Sequence, residues 1–365
     1  MTQGPLTGLR VLELAGLGPA PFACALLADA GADVVRVDRP SSPHDPTDIL
    51  ARGRRSVALD LKLPADVQTV LALAAKADLF VEGFRPGVIE RLGLGPTVLL
   101  ERNPKLVIGR MTGWGQSGPL ASAPGHDINY IALSGALASI GPEGGPPVPP
   151  LNLVGDFGGG SMLLLFGVMA ALHEAQRSGC GQVVDAAMVD GSIALMGIFQ
   201  WMRSQGRWNG RRGTNWLDGG AHYYGCYECA DGRWLAVGAI EPPFYRALRE
   251  RLGLLHDSLF DTQHDAALWP TQKARLAAVF RSRDRQAWCE HFDGSDACVS
   301  PVLDLDEVAA HPHNVARSAM TTAFGVPQPG PVPQFSRTPG ATGQAPRAPG
   351  VDRVAVMRDW LGVAG

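Results

Sequence analysis

The chain has 365 residues, 45% hydrophobic and 18% charged, which suits a folded protein of about two domains and excludes an extended disordered chain. Thirty-two basic residues against thirty-five acidic ones leave a net charge of −3. Nothing global draws such a chain to nucleic acid or to an anionic membrane, so neither is expected as a partner. The first apolar run carries Arg10 and Glu13, and no small-residue cleavage site follows it, so no secretory leader is read there. The longest strongly apolar run, Met162 to Leu172, is too short to span a bilayer. A cytoplasmic protein is therefore expected, and its six cysteines read as free thiols. Cys226-x-x-Cys229 raises a zinc reading, but no second Cys or His pair accompanies it, and two ordinary thiols in a strand remain the alternative.

The N-terminal third alternates strand and helix patterns. Leu9 to Leu14 reads as a strand, Gly16 to Pro21 as a turn, Phe22 to Ala30 as a helix ended by Gly31, and Val34 to Val37 as the next strand. Further strands are expected at Ser56 to Leu61, Leu79 to Glu82 and Leu106 to Met111, with helices from Pro64 to Ala75 and from Val88. This is a βαβ pattern, so a parallel sheet with crossover helices follows. Ligands of such sheets bind at the carboxyl ends of strands, where Arg39, Lys62, Glu82, Arg85 and Thr112 stand. Gly16-x-Gly18 lacks the third glycine of a dinucleotide fingerprint. Pro21 occupies that place and offers no N–H to a pyrophosphate.

A Gly/Pro-rich passage covers 141–160, followed by an apolar helix from about Ser161 to Gln176. Gln182 to Val189 reads as a buried strand or a helix start. Beyond 205 the texture changes. Tyr223 to Glu228 and Arg233 to Ala239 form a β-hairpin pattern across Ala230-Asp231-Gly232. Helices from Pro243 to Leu252 and Lys273 to Arg281 complete a smaller α+β unit. A proline-rich stretch, Pro327 to Pro349, precedes a last helix from about Val351 to Leu361.

Three residues invite chemistry. His126 follows a Gly/Pro/Ser loop and opens an apolar helix, where the helix dipole favours a neutral imidazole; a structural histidine is the plain alternative. Asp156, in Gly-Asp-Phe-Gly-Gly-Gly, reads either as a helix N-cap or as a carboxylate exchanging a proton with a carbon acid beside free backbone N–H groups. Glu241 follows the second hairpin strand, and spacing does not say whether it is solvated or orients a histidine. Arg52-Gly53-Arg54-Arg55 is the densest basic cluster. It is read as a solvated edge or, with Arg39, Arg85 and Arg91, as a phosphate clamp.

Ten segments together resemble a known family. They are LRVLELAGLGPAPFACALLADAGADVVRVDRP, RSVALDLK, RPGVIERLGLGP, MTGWGQSGP, GHDINYIALSG, PLNLVGDFGGG, GQVVDAAMVDG, LDGG, ADGRWLAVGAIEP and SDACVSPVL, running in order from residue 9 to about 303. They resemble the family III CoA-transferase superfamily and, within it, the alpha-methylacyl-CoA racemases. The resemblance implies an α/β protomer with a Rossmann-like large domain (1–205 and 320–365), a smaller α+β domain (206–319), and an interlocked homodimer. It implies an acyl-CoA thioester substrate and no added cofactor or metal. It assigns His126 and Asp156 as the acid/base pair and Glu241 as the glutamate that holds the histidine across the dimer. CoA contacts fall to Arg39, Leu59, Asp60, Leu61, Lys62, Arg85 and Arg91, and the thioester lining to Gly125, Asp127, Ile128, Asn129 and Tyr130.

The implied reaction is inversion of the α-carbon of 2-methyl-branched acyl-CoA thioesters. One carrier removes the α-proton, backbone N–H groups near Asp156 hold the enolate oxygen, and the other carrier protonates the opposite face. The family's other chemistry is CoA transfer, with Asp156 as nucleophile. Transferases of this superfamily usually place an aromatic residue where this chain has His126. A non-catalytic acyl-CoA binder is the third reading, and the presence of both His126 and Asp156 argues against it. Two positions depart from close relatives: Trp216 replaces a methionine and His222 a proline. Met111 and Met188 keep a flexible, methionine-lined acyl groove, which Trp216 is expected to narrow.

Overall fold

The computed structural model describes residues 4–363. The chain divides into two compact units. The first comprises residues up to 134, 151–196 and 309 onward; the second comprises 135–150 and 197–308. Compared with the expected division near 205 and 320, the passage 135–150 and the helix Gly197–Ser204 group with the second unit. Arg211 and Arg212 bind that passage at the Glu143 carboxylate and the Gly145 carbonyl.

The first unit carries β1 (Arg10–Leu14), α1 (Pro19–Asp29), β2 (Asp33–Asp38), β3 (Arg55–Ala58), α2 (Pro64–Ala74), β4 (Leu79–Glu82), α3 (Val88–Arg91), α4 (Pro96–Arg102), β5 (Val107–Thr112) and α5 (Asp127–Ser134). After the excursion into the second unit come a π-helical segment (Leu153–Met162), α6 (Leu163–Ser178), β6 (Val183–Ala187) and α7 (Met188–Leu195). The six strands pair in parallel in the order β3-β2-β1-β4-β5-β6. This doubly wound order reverses direction between β1 and β4, which places the ligand crevice outside their carboxyl ends. Apolar strand runs buried on both faces explain why the pattern was legible. One core packs α1 and α6 on the sheet through Leu27, Leu164 and Val168; the other packs α2 and the final helix, Arg353–Leu361, through Leu73, Val356 and Trp360.

The apolar helix begins earlier than its composition suggests. Residues 153–178 form one helical stretch whose first ten residues are π-helical, with the Phe157 N–H donating to the Asn152 carbonyl. The glycines there answer a packing need. A Cβ at Gly159 would lie 2.7 Å from the Ser192 nitrogen, and one at Gly191 would lie 1.9 Å from the Gly159 oxygen. The stretch is 26 residues with mean hydropathy 1.6, so by length and composition it can cross a bilayer, which corrects the expectation from the shorter run Met162 to Leu172. Within this unit it packs as a core helix does, with Leu164 and Val168 against Gly109 of β5.

The second unit contains the expected hairpin, β7 (Tyr224–Glu228) with β8 (Trp234–Gly238), extended by an unexpected third antiparallel strand, β9 (Val299–Pro301). Helices Pro242–Arg251, Trp269–Phe280 and Arg285–Phe292 enclose an aromatic core of Tyr223, Tyr227, Tyr245, Phe260, Trp269, Phe280 and Trp288. Cys226 is exposed and Cys229 buried. Among the described residues, no group of three or more His, Cys, Asp or Glu is placed to hold a metal ion.

Candidate active site

The basic cluster ahead of β3 is neither a solvated edge nor a phosphate clamp. Arg52 makes a two-point pair with Asp29 (2.5 and 3.1 Å), Arg54 pairs with Glu13 at 2.7 Å, and Arg55 pairs with Asp33 and Asp359. Arg52, Arg54, Asp29 and Glu13 are buried. These arginines lock α1, β1 and β3 together, and partners distant in sequence hid that role. Two expected strand-end residues are also structural. Glu82 is fully buried, receiving Arg110 at 2.7 Å and the Phe84 N–H, and the Thr112 hydroxyl accepts the Gly115 N–H.

Four other cations remain at the carboxyl edge. Arg39, Lys62, Arg85 and Arg91 are exposed, and none forms an ion pair among the described residues. Arg39 and Lys62 line a cavity of about 660 Å³ together with Leu59, Asp60 and Leu61. The expected strand Ser56 to Leu61 ends at Ala58, so Leu59 to Lys62 form a loop over this cavity. The Lys62 N–H is held by the Asp60 carboxylate. Phe84 borders both this cavity and a smaller one of about 150 Å³, lined by Leu17, Arg85, Met111, Trp114, Gly125, Tyr130 and Met188. A cation-edged space thus adjoins a smaller pocket of mixed polar and apolar lining at the switch point of the sheet.

His126 sits where the smaller pocket's lining residue Gly125 meets α5. Its carbonyl accepts the Asn129 and Tyr130 N–H groups, and its own N–H donates to the Asn129 Oδ1 at 3.0 Å. This reciprocal arrangement makes His126 the N-cap residue of α5, with Asn129 closing the box from the first turn. The cap fixes the backbone and leaves the exposed imidazole side chain outside it. Tyr130 clamps the same loop. Its hydroxyl donates to the Gly125 carbonyl at 2.5 Å, its ring meets Trp114 edge-on at 4.8 Å, and its burial together with the Asp156 charge raises the phenol's pKa.

Asp156 is half-buried inside the π-helical segment, not at a helix start, so the N-cap reading does not hold. Its Oδ2 receives the Asn152 amide at 3.1 Å, and a Cβ on Gly18, at the end of the β1 loop, would lie 3.7 Å from that same oxygen. Burial pushes its pKa above the usual carboxylate range. The Asn152 hydrogen bond opposes the rise, Asp127 adds to it, and His126 opposes it. That last influence places the imidazole within electrostatic reach of the carboxyl group. The Asp156 N–H donates to the Asp127 Oδ1 at 2.7 Å, so it is not free to hold an oxyanion. The unpaired N–H groups instead belong to Asp127 and Ile128, at the start of α5, where the helix dipole also favours negative charge. Asn152 and Trp114, whose buried indole N–H has no partner, are site residues that sequence reasoning missed.

A profile of CoA-transferase family III matches residues 6–353. The chain belongs to CoA-transferase family III. It is 48% identical to alpha-methylacyl-CoA racemase of Mus musculus over 97% of this chain and 93% of the mouse protein. It is 46% identical to the Homo sapiens protein of that name over 92% of this chain and 90% of that one. Its fold matches a CaiB/BaiF family protein from Brucella suis with a TM-score of 0.84 at 23% identity, covering 98% and 100% of the two chains.

In this family III member, Glu241 stands exposed at the N-cap of the helix Pro242–Arg251 in the second unit. Trp216 is half-buried against that unit's aromatic core, with Arg207 over its ring at 5.7 Å. His222 is fully buried and hydrogen-bonded through Nε2 to the Tyr245 hydroxyl at 2.8 Å.

Proposed function

We propose that this chain inverts the α-carbon of 2-methyl-branched acyl-CoA thioesters by 1,1-proton transfer through an enolate. The observation that carries this reading is the pairing of an exposed imidazole with a half-buried carboxyl group of raised pKa at the sheet's switch point. A single base would return its proton to the face it left, so inversion needs two carriers of matched basicity on opposite faces. Burial raises the Asp156 carboxyl from its ordinary value, so it holds a proton to deliver more readily than a solvated aspartate. His126 takes the α-proton from one enantiomer while Asp156 delivers its proton to the other face, and the roles exchange for the mirror substrate. The Asp127 and Ile128 N–H groups receive the enolate oxygen. The thioester itself acidifies the α-carbon, so the scheme calls on no metal or redox cofactor.

Arg39 and Lys62 take the CoA phosphates, with Arg85 and Arg91 on the approach, and Leu59 to Lys62 and Phe84 line the path toward the thioester. Met111 and Met188 accept the acyl chain, and Trp216 restricts it. Glu241 is supplied by a second copy of the chain to orient His126, in an interlocked homodimer. The apolar residues left uncovered on the first unit support such a partner: Leu153, Met162, Phe166, Ile193 and Leu195 are each 46% exposed or more. In solution the particle is expected at twice the 38.6 kDa chain mass by light scattering.

The test pairs His126→Ala with Asp156→Asn. Both are expected to lose inversion by at least 10²-fold while still binding CoA. Full inversion in either variant contradicts the two-carrier scheme. A hydroxylamine-trappable acyl group on Asp156 would instead identify the family's transferase chemistry.

A further inference from the structure

Asp127 lies next to His126 in sequence and next to Asp156 in space, yet its side chain does not face an open pocket. It is 7% exposed. Its Oδ1 accepts the Asp156 N–H at 2.7 Å, and its Oδ2 is buried with no hydrogen-bond partner. The fit around it is close: a Cβ on Gly155 would stand 2.4 Å from Oδ1 and 2.9 Å from Cγ. The glycine before Asp156 therefore leaves the volume that this carboxylate fills.

We propose that Asp127 is the positioning residue of the proton-carrying pair, fixing the backbone of Asp156 and holding one proton on the His126–Asp156 pair across the working pH range. The inference rests on the racemase reading for its consequence. The titratable groups on which the Asp127 charge acts are Asp156 on the π-helical segment and the Tyr130 phenol on α5, and His126 precedes it in the chain. Arg85, after β4, acts on Tyr130. Within this set no cation pairs with Asp127, while the start of α5 favours its negative charge. A second carboxyl group close by then gives up its proton less readily, and the Asp127 charge does raise Asp156.

A racemase pair must hold one proton in total. With the proton on Asp156, the α C–H bond breaks to neutral His126 and a new C–H bond forms from the Asp156 O–H. With the proton on His126, the opposite transfer runs. Both arrangements belong to the same singly protonated state, so the pair titrates as a unit with two apparent values. Removing the Asp127 charge takes away one of the influences that hold the proton on Asp156.

Asp127→Asn separates charge from position, because the amide oxygen still accepts the Asp156 N–H. The limb of the bell-shaped pH profile of kcat/KM for inversion that Asp156 sets is expected to move toward lower pH. A merely structural residue would lower the profile without moving it. The second readout needs no turnover: carboxyl ¹³C NMR of aspartate-labelled protein, with Asp156 assigned through Asp156→Asn, should show Asp156 titrating lower in Asp127→Asn. An unmoved profile in an enzyme that inverts its substrate overturns the inference and leaves the racemase reading intact. If the wild-type protein does not invert, that reading fails, and the ¹³C titration alone decides whether Asp127 governs Asp156. Should Asp127→Asn not fold, Asp127→Ser, which also carries a neutral acceptor oxygen, is read in the same two ways.

Discussion

His222 gives this chain an acid sensitivity that can be worked out in advance. The side chain is fully buried among Tyr223, Tyr245 and Phe260, and its Nε2 meets the Tyr245 hydroxyl at 2.8 Å. Because Tyr245 spends its own proton on the Phe260 carbonyl, the imidazole is the donor at Nε2, and Nδ1 is left unprotonated, buried and without a partner. A second proton on this ring has no acceptor. Desolvation accordingly depresses its pKa from 6.5 to about 3, with a smaller contribution from His264. In the unfolded chain His222 titrates near 6.5. Between pH 6.5 and 3 the unfolded state therefore binds the extra proton and the folded state does not, so stability falls as pH falls. The loss is about 1.4 kcal/mol per pH unit in that window, or about 2 kcal/mol between pH 7 and pH 5. His222→Phe removes the titration and keeps an aromatic ring among aromatic rings. The assay is urea unfolding of both proteins from pH 7.5 to pH 4.5. The difference in unfolding free energy should shift in the variant's favour by about 2 kcal/mol from pH 7 to pH 5. A difference that stays constant with pH refutes the buried neutral imidazole.

Arg54→Met leaves the fully buried Glu13 without its cation and is expected to destabilise the protein by roughly 3–5 kcal/mol in thermal or urea unfolding; adding Glu13→Leu should restore most of that loss, because the pair's own net contribution is small. Arg39→Ala and Lys62→Ala should each raise KM for acyl-CoA about tenfold and leave kcat nearly unchanged, and the wild-type advantage should shrink with added salt. Trp216→Met is expected to raise kcat/KM for long or strongly branched acyl chains relative to short ones, and an unchanged profile contradicts its restricting role.

The sheet was legible because each strand is a short apolar run closed by glycine, proline or charge, as in Leu79 to Glu82, whose expected and observed limits coincide. Arg39 and Arg85 were legible for the same reason, since each follows closely on a strand end, whereas Lys62 stands on a loop four residues beyond β3 and Arg91 ends α3. What the sequence hid depends on partners distant along the chain. Arg52, Arg54 and Arg55 look like a phosphate clamp until Asp29, Glu13 and Asp33 are folded against them. The glycines at 155–160 look like a loop, yet they are helical because α7 needs their missing side chains. Residue context singled out His126 and Asp156, each with a structural alternative, and their reading as an acid/base pair came from resemblance. Their environment came only from the fold: the cap through Asn129, the Asn152 hydrogen bond and the Asp127 carboxylate.

The central claim is two-base inversion at the α-carbon, and one incubation tests it most directly. A single enantiomer of a 2-methylacyl-CoA is held with the wild-type enzyme in deuterated water, and the thioester is examined by chiral separation and mass spectrometry. The two-carrier account predicts approach to an equal mixture of enantiomers, with the inverted product carrying one deuterium at the α-carbon. Retained configuration without α-deuterium, across several acyl groups, contradicts it.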